Sequence, residues 1–280
     1  MARLAVLMVT YDQPEYVKLS LPRLLDTCGD DARVWLWHNG TDGETLELAR
    51  TFATDERVER FHHCPENEPL RVPINWVFTE STGDLVSKVD DDCLVPDGWV
   101  PTFLAAHDDI EQLGAVGCWR FPDEDFDPEL AMPKVGEFAG GHRILQNYWV
   151  QGSSFVMKRA CVQRHGPIAP GQTVTQYFVQ LALRGWVNGW YFPFLREEHM
   201  DDPRSPYTRF RTDEDLQARL PLTARLNGAT TLAEWEDVIR RSARASQAAP
   251  LDPRHFAGWR RRRHHLWLRA KGLAGFKRQW

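Results

Sequence analysis

Apolar residues along this chain fall first into short runs and then into helical spacing, repeatedly. Arg3 to Thr10 is a continuous apolar run ending in a polar turn, which predicts a buried parallel strand. Pro14 opens a segment, Tyr16 to Leu25, whose apolar residues recur at helical spacing. Arg33 to Trp37 predicts a second strand, closed by His38-Asn39-Gly40. A helix over Thr41 to Thr54 follows, capped by Asp42. Arg57 to His62 predicts a third strand, Ile74 to Ser81 a helix stopped at Gly83, and Leu85 to Val89 a fourth strand that runs into Asp90-Asp91-Asp92. Further strands are expected at 114–119 and 149–158, and a helix over Gln172 to Leu183.

Strands alternating with helices imply a mostly parallel sheet covered on both faces. Such sheets hold ligands at the carboxyl ends of their strands. Thr10-Tyr11-Asp12, His38-Asn39-Gly40 and the aspartate triplet each follow a strand, so three distant polar clusters are expected on one edge. Pro122 to Gly141, rich in Pro, Gly and acids, reads as a long loop able to close over a ligand. Beyond Pro206 the pattern becomes helical, over Thr212 to Leu226 and Thr231 to Ala249. The organisation expected is a domain over 1–205, with halves of about 1–95 and 96–205, and a helical extension over 206–280.

Charge changes the picture only at the end. The net charge of −5 hides a tail with nine Lys and Arg and no acid after Asp252. Phe256, Trp259, Trp267, Phe276 and Trp280 interleave those cations over 254–280. The pattern suits an anionic membrane surface or nucleic acid, and equally packing on the acidic body or in a homo-oligomer. Five scattered cysteines form no C-x-x-C pair, no secretory signal is evident, and no apolar run reaches membrane-spanning length. A cytoplasmic protein, peripheral to the membrane if the tail docks there, is the expectation.

The triplet carries the chemistry. A D-x-D at the end of a buried strand can hold Mn2+ or Mg2+ and leave positions for phosphate oxygens and water. Its apolar flanks, Leu85 to Val89 and Cys93 to Pro96, anchor it to the core, against the alternative of a solvated acidic turn.

Together, Val9 to Tyr16, the His38 to Gly43 turn, Gly83-Asp84-Leu85, and Val89 to Asp92 followed by Leu94-Val95-Pro96 resemble the ordered landmarks of the family 2 glycosyltransferases. Gly152, Met157-Lys158-Arg159 and His165-Gly166-Pro167 extend the resemblance over roughly residues 3–200. It implies a GT-A α/β fold, a mostly parallel mixed sheet flanked by helices, here followed by a helical basic extension. It implies transfer of a sugar from a UDP-, GDP- or dTDP-sugar to an acceptor that is a glycan, a lipid-linked group, a protein or a modified nucleic acid. By that resemblance Thr10, Tyr11, Asp12 and Asn39 line the base pocket, and Asp90 and Asp91 serve the nucleotide. Asp92, His199 and Asp90 hold the metal, and Arg71 and Lys88 reach phosphate.

Two departures stand out. His38 replaces the first turn acid of the family. No Asp or Glu occurs from Phe138 through Arg196, so the carboxylate that usually precedes the late helix is missing. Asp202, Asp201, Glu198 and Glu197 are candidate bases, as are the loop acids Asp123, Glu124 and Asp125 and, after them, His142 and His165. Gln176 would instead steady the transition state of a retaining transfer. A non-catalytic nucleotide-sugar or glycan-binding module is the alternative. Trp119, Trp149, Trp186 and Trp190 are expected near the acceptor side, with Trp149 the best placed of the four.

Overall fold

The computed structural model describes residues 2–151 and 153–256, together with Gly258, Arg263 and Leu266. It resolves into two compact units, Met1–Arg120 with Val135–Met200, and Phe121–Lys134 with Asp201–Trp280.

The first unit opens with the expected alternation: β1 (Leu4–Thr10), α1 (Pro14–Cys28), β2 (Ala32–Asn39), α2 (Gly43–Phe52), β3 (Val58–Cys64), α3 (Arg71–Glu80), β4 (Leu85–Asp90), β5 (Cys93–Leu94), α4 (Trp99–Asp109) and β6 (Leu113–Gly117). After α5 (Pro128–Ala131), which belongs to the other unit, come β7 (Val135–Glu137), β8 (Arg143–Asn147), β9 (Phe155–Lys158), α6 (Arg159–His165), α7 (Val174–Leu183), β10 (Val187–Phe192) and β11 (Glu198–His199). Nine strands form one mixed sheet in the order β3-β2-β1-β4-β9-β6-β10-β8-β7. β1 to β4 run parallel, β9 is antiparallel to both β4 and β6, and β10 returns parallel to β6.

The apolar run of β1 follows from this layering. Leu4, Val6 and Met8 pack with α1 and α4 residues such as Leu21 and Phe103, while Ala5 and Leu7 pack on the opposite face with Ile74 and Phe178. A strand covered on both sides has no polar alternation to show. Asp42 caps α2 as expected, its carboxylate accepting from Thr45 N–H at 2.8 Å.

The second half of the sheet departs from expectation. Only Phe155–Lys158 of the strand expected over 149–158 pairs as β9, because the chain turns at Ser154, whose φ is +46°. β8 and β10 carry no legible pattern. Gly189 in β10 is required by close approach: a Cβ there would lie 2.2 Å from the Leu145 carbonyl oxygen of β8.

In the second unit the helix expected over Thr212 to Leu226 is two short helices, α8 (Asp213–Ala218) and α9 (Leu222–Asn227). Pro221 lies between them and has no N–H to continue the first. α10 (Leu232–Ala248) matches expectation, with Thr231 and Glu234 closing a capping box. The acidic segment Phe121–Lys134 is pinned within this unit. Arg204 bonds both Asp125 and Asp202 at 2.8 Å, Gln247 of α10 donates to Asp125 O and accepts from Asp127 N–H, and Lys134 donates to Ser246 O. The basic aromatic tail lies outside the described residues beyond Phe256, apart from Gly258, Arg263 and Leu266.

His107, buried on α4, donates from Nε2 to Val156 O at 3.0 Å. Burial lowers its imidazole from 6.5 to about 3. The folded chain therefore keeps it neutral where the unfolded chain takes up a proton, so its contribution is complete above pH 6.5 and fades below it. H107Q keeps the donor without the titration. Between pH 6.5 and 5, chemical denaturation should show the wild type losing up to about 1.4 kcal/mol per pH unit more than H107Q. Parallel curves would contradict the assignment.

Candidate functional site

Register assembles the site. β1 pairs with β2 so that Thr10 lies beside His38, and with β4 so that Val9 lies beside Asp90. The three polar clusters thus leave one sheet edge together. Packing of apolar strands, not attraction among the polar residues, puts them there.

Each cluster is then fixed by its own bonds. Thr10 Oγ1 lies 3.0 Å from His38 Nδ1, and both side chains are buried. Burial lowers the His38 pKa. The Asn39 side chain donates to Asn67 and to Glu68 O and accepts from Glu68 N–H at 2.9 Å, so it ties down the loop after β3. Tyr11 is exposed and its ring lies on Gly40, where a Cβ would stand 3.1 Å from the ring at a φ of +105°. Asp12 follows in the left-handed region at +44°. Arg71 is the first residue of α3 and is half-buried.

The three aspartates divide the work. Asp91 is buried, and its carboxylate accepts from Tyr11 N–H at 3.0 Å and Gln13 Nε2 at 2.9 Å, so it orders the loop after β1. Asp90 is engaged by the ammonium of Lys88, a fully buried lysine. Asp92 stands 3.4 Å from His199 Nε2, brought together by pairing of β11 with β5 and by the 2.8 Å bond from Met200 N–H to Asp92 O. Tyr16 OH in turn donates to Met200 O at 2.9 Å. Burial by itself would raise the Asp92 carboxyl, but the hydrogen bond and charge of His199 prevail and hold it well below the usual carboxylate range. Two of the three residues expected to share a metal, Asp92 and His199, more than a hundred positions apart, therefore stand side by side. The third, Asp90, is engaged by Lys88 and forms no three-residue cluster with them among the described residues.

Behind them lies Glu197, fully buried, its Oε2 accepting from Ser154 Oγ and, at 3.4 Å, from Ser153 Oγ. Burial raises its carboxyl to about 7 against the opposing bond from Ser154 and the charge of Arg120. Ser153 Oγ also accepts the Asp90 N–H at 3.1 Å. No spacing in the sequence marks these serines.

The candidate bases differ in burial and in partners. Glu198 is half-buried and reaches Arg196 at 4.0 Å. In the second unit Asp202 is buried in the Arg204 ion pair, and Asp201 is buried 3.9 Å from Arg209. Gln176 completes the capping box of α7, accepting from Thr173 N–H. Trp119 and Trp190 are core residues in edge contact, Trp186 is buried, and Trp149 is half-buried against Tyr148.

A divalent ion fits the donor set of Asp92 and His199, a carboxylate and an imidazole. Among the described residues no three His, Cys, Asp or Glu side chains form a cage by themselves. Two protein ligands would leave the remaining positions to other oxygen donors and water.

Residues 5–168 match the model of the glycosyl transferase family 2. No curated protein matches the sequence. Among solved structures, the mannosyltransferase PcManGT from Pyrobaculum calidifontis, in complex with GDP-Man and Mn2+, is similar with a TM-score of 0.57 and 18% identity, over 99% of this chain and 81% of that one. S. aureus TarS 1-349 is similar at 0.55 and 11% identity, over 91% and 72% of the two chains. The same protein in complex with UDP gives 0.53 at 12% identity, over 95% and 75%. These likenesses are likenesses of fold, and the fold is GT-A.

Asp91→Ala removes from the buried Asp91 carboxylate the hydrogen bonds of Tyr11 N–H and Gln13 Nε2. Urea titration should show a loss of about 1–3 kcal/mol. Unchanged stability would mean that the Asp91 carboxylate faces solvent.

Proposed function

The chain belongs to glycosyl transferase family 2, and on that footing we propose that it transfers a sugar from a nucleoside diphosphate sugar with the aid of a divalent metal ion. The observation that carries the reading is the Asp92–His199 pair on the edge that also bears Tyr11 and Asp90. The base would lie against the exposed Tyr11 ring, whose loop Asp91 holds in place. Asn39 would act through the loop it ties down, and Thr10 and Asp12 would complete the pocket wall. Arg71 at the start of α3 is our choice for a phosphate contact. Lys88 would instead offset the charge of Asp90 from beneath. Asp92 and His199 would hold the ion, for which the imidazole favours Mn2+ over Mg2+, while Asp90, engaged by Lys88, would flank it. When bound, the ion would act as a Lewis acid toward the departing diphosphate.

For the acceptor proton we choose Glu198. It flanks His199 and is half-buried, with Arg196 at 4.0 Å, whereas Asp202 is hydrogen-bonded by Arg204 and Asp201 is buried. The Gln176 amide is used at the cap of α7.

We further assign the basic aromatic tail to an anionic membrane surface and place the protein there from the cytoplasmic side. Leu222 and Leu226, one helical turn apart on α9, are 59% and 75% exposed, and Leu266 in the tail is 63% exposed. Among the described residues no helix is long and apolar enough to cross a membrane. A lipid-linked acceptor fits that location.

Release of nucleotide from a donor panel, with Mn2+ and with EDTA, tests the central reading. Metal-dependent release that D92A and H199A each lower by about a hundredfold or more is the expected result. Donor binding without turnover would return the non-catalytic module. E198A should slow transfer by about 10²–10⁴. Wild-type rates in that variant would exclude it as the base.

The tail is tested separately. Deleting residues 254–280 should abolish sedimentation with phosphatidylglycerol vesicles and leave nucleotide release intact. Retained sedimentation, or wild-type binding to DNA in place of vesicles, would contradict the membrane assignment.

A further inference from the structure

Glu197 is a buried carboxylate that no step above uses. It sits on the segment that carries His199, where Glu197 N–H donates to Trp119 O at 3.0 Å. Its side chain points inward, is 0% exposed, and accepts from the hydroxyls of Ser153 and Ser154. Its other oxygen, Oε1, has no hydrogen-bond partner among the described residues. An acid enclosed in this way is unfavourable for stability, and a leucine of similar size would pack there without that penalty.

The bonds lead to the aspartates. Ser153 Oγ accepts the N–H of Asp90 at 3.1 Å and donates to Glu197 at 3.4 Å. Ser154, held in the left-handed region at a φ of +46°, presents its carbonyl to Cys118 N–H at 3.1 Å. That backbone conformation is rare outside glycine and persists where surrounding bonds impose it. The end of β4 and the His199 segment are therefore joined twice. The outer join is the β5–β11 pairing. The inner join runs from Asp90 N–H through Ser153 to Glu197.

We infer that Glu197 is a positioning residue that sets the spacing between Asp90 on one side of the metal site and His199 on the other, acting through Ser153. The inference rests on the reading of Asp92 and His199 as the metal-holding residues. Groups that orient metal ligands without touching the ion change metal affinity when removed, even where the fold survives.

The test is a double-mutant cycle on the full-length chain. The readout is Mn2+ uptake, measured from the paramagnetic resonance signal of free Mn2+ with UDP or GDP present, whichever the wild type takes up. E197A should weaken Mn2+ binding by about tenfold, and S153A should weaken it in the same direction. The double variant should be no weaker than E197A, because both substitutions cut one connection. E197Q, which can still accept from the serine hydroxyls, should stay within about threefold of wild type, while a thermal melt of each variant verifies folding.

Wild-type Mn2+ affinity in folded E197A, or losses that multiply in the double variant, would overturn the inference. Should E197A fail to fold, S153A decides alone, and undiminished Mn2+ uptake there overturns it. A wild-type protein that takes up no Mn2+ with either nucleotide overturns the metal reading itself, and this inference with it.

Discussion

Four carboxylates crowd one end of a buried sheet, and the structure around them is organised by the need to compensate their charge. Asp90, Asp91 and Asp92 are consecutive and Glu197 is joined to Asp90 N–H through Ser153; Asp91 and Glu197 are buried, and Asp90 and Asp92 are half-buried. Each has a different compensating partner: the ammonium of Lys88, the amides of Tyr11 and Gln13, the imidazole of His199, and a pair of serine hydroxyls. Burial alone would favour the protonated form of Asp92 and Glu197. The lowered carboxyl of Asp92 and the raised one of Glu197 show the two outcomes side by side.

This arrangement depends on strand register. β1 stands between β2 and β4, and its apolar side chains serve two hydrophobic layers at once. A one-residue slip would exchange those layers and move Thr10 and Asp90 out of line. Placement of the acids is thus enforced by apolar packing several residues away. The local bonds then only have to orient side chains that already arrive at the right edge.

What could be read from the sequence follows the same division. The first four strands, the Asp42 cap and the convergence of three polar clusters were legible, because continuous apolar runs and a capping residue are local signals. The pairing of Asp92 with His199 came from a family resemblance, since nothing local connects residues so far apart. β8 and β10 have no local signal, because Gly189 and Asn188 owe their identities to neighbours elsewhere in the fold: a close backbone approach at Gly189, and an Asn188 side chain that accepts from Ala115 N–H and donates to Phe178 O. The break at Pro221 was visible as a residue but was outweighed by helical spacing on both sides. Ser153 and Ser154 carry no signal, because a serine whose hydroxyl meets a buried acid looks in sequence like any other serine.

The account stands on an ion held between Asp92 and His199 against a nucleoside diphosphate. Crystals soaked with Mn2+ and UDP or GDP, measured at the manganese absorption edge, address it directly. An anomalous peak within bonding distance of an Asp92 oxygen and His199 Nε2, next to the diphosphate, is the predicted result. Bound nucleotide with no peak at that pair, or a peak held by other residues, would contradict it.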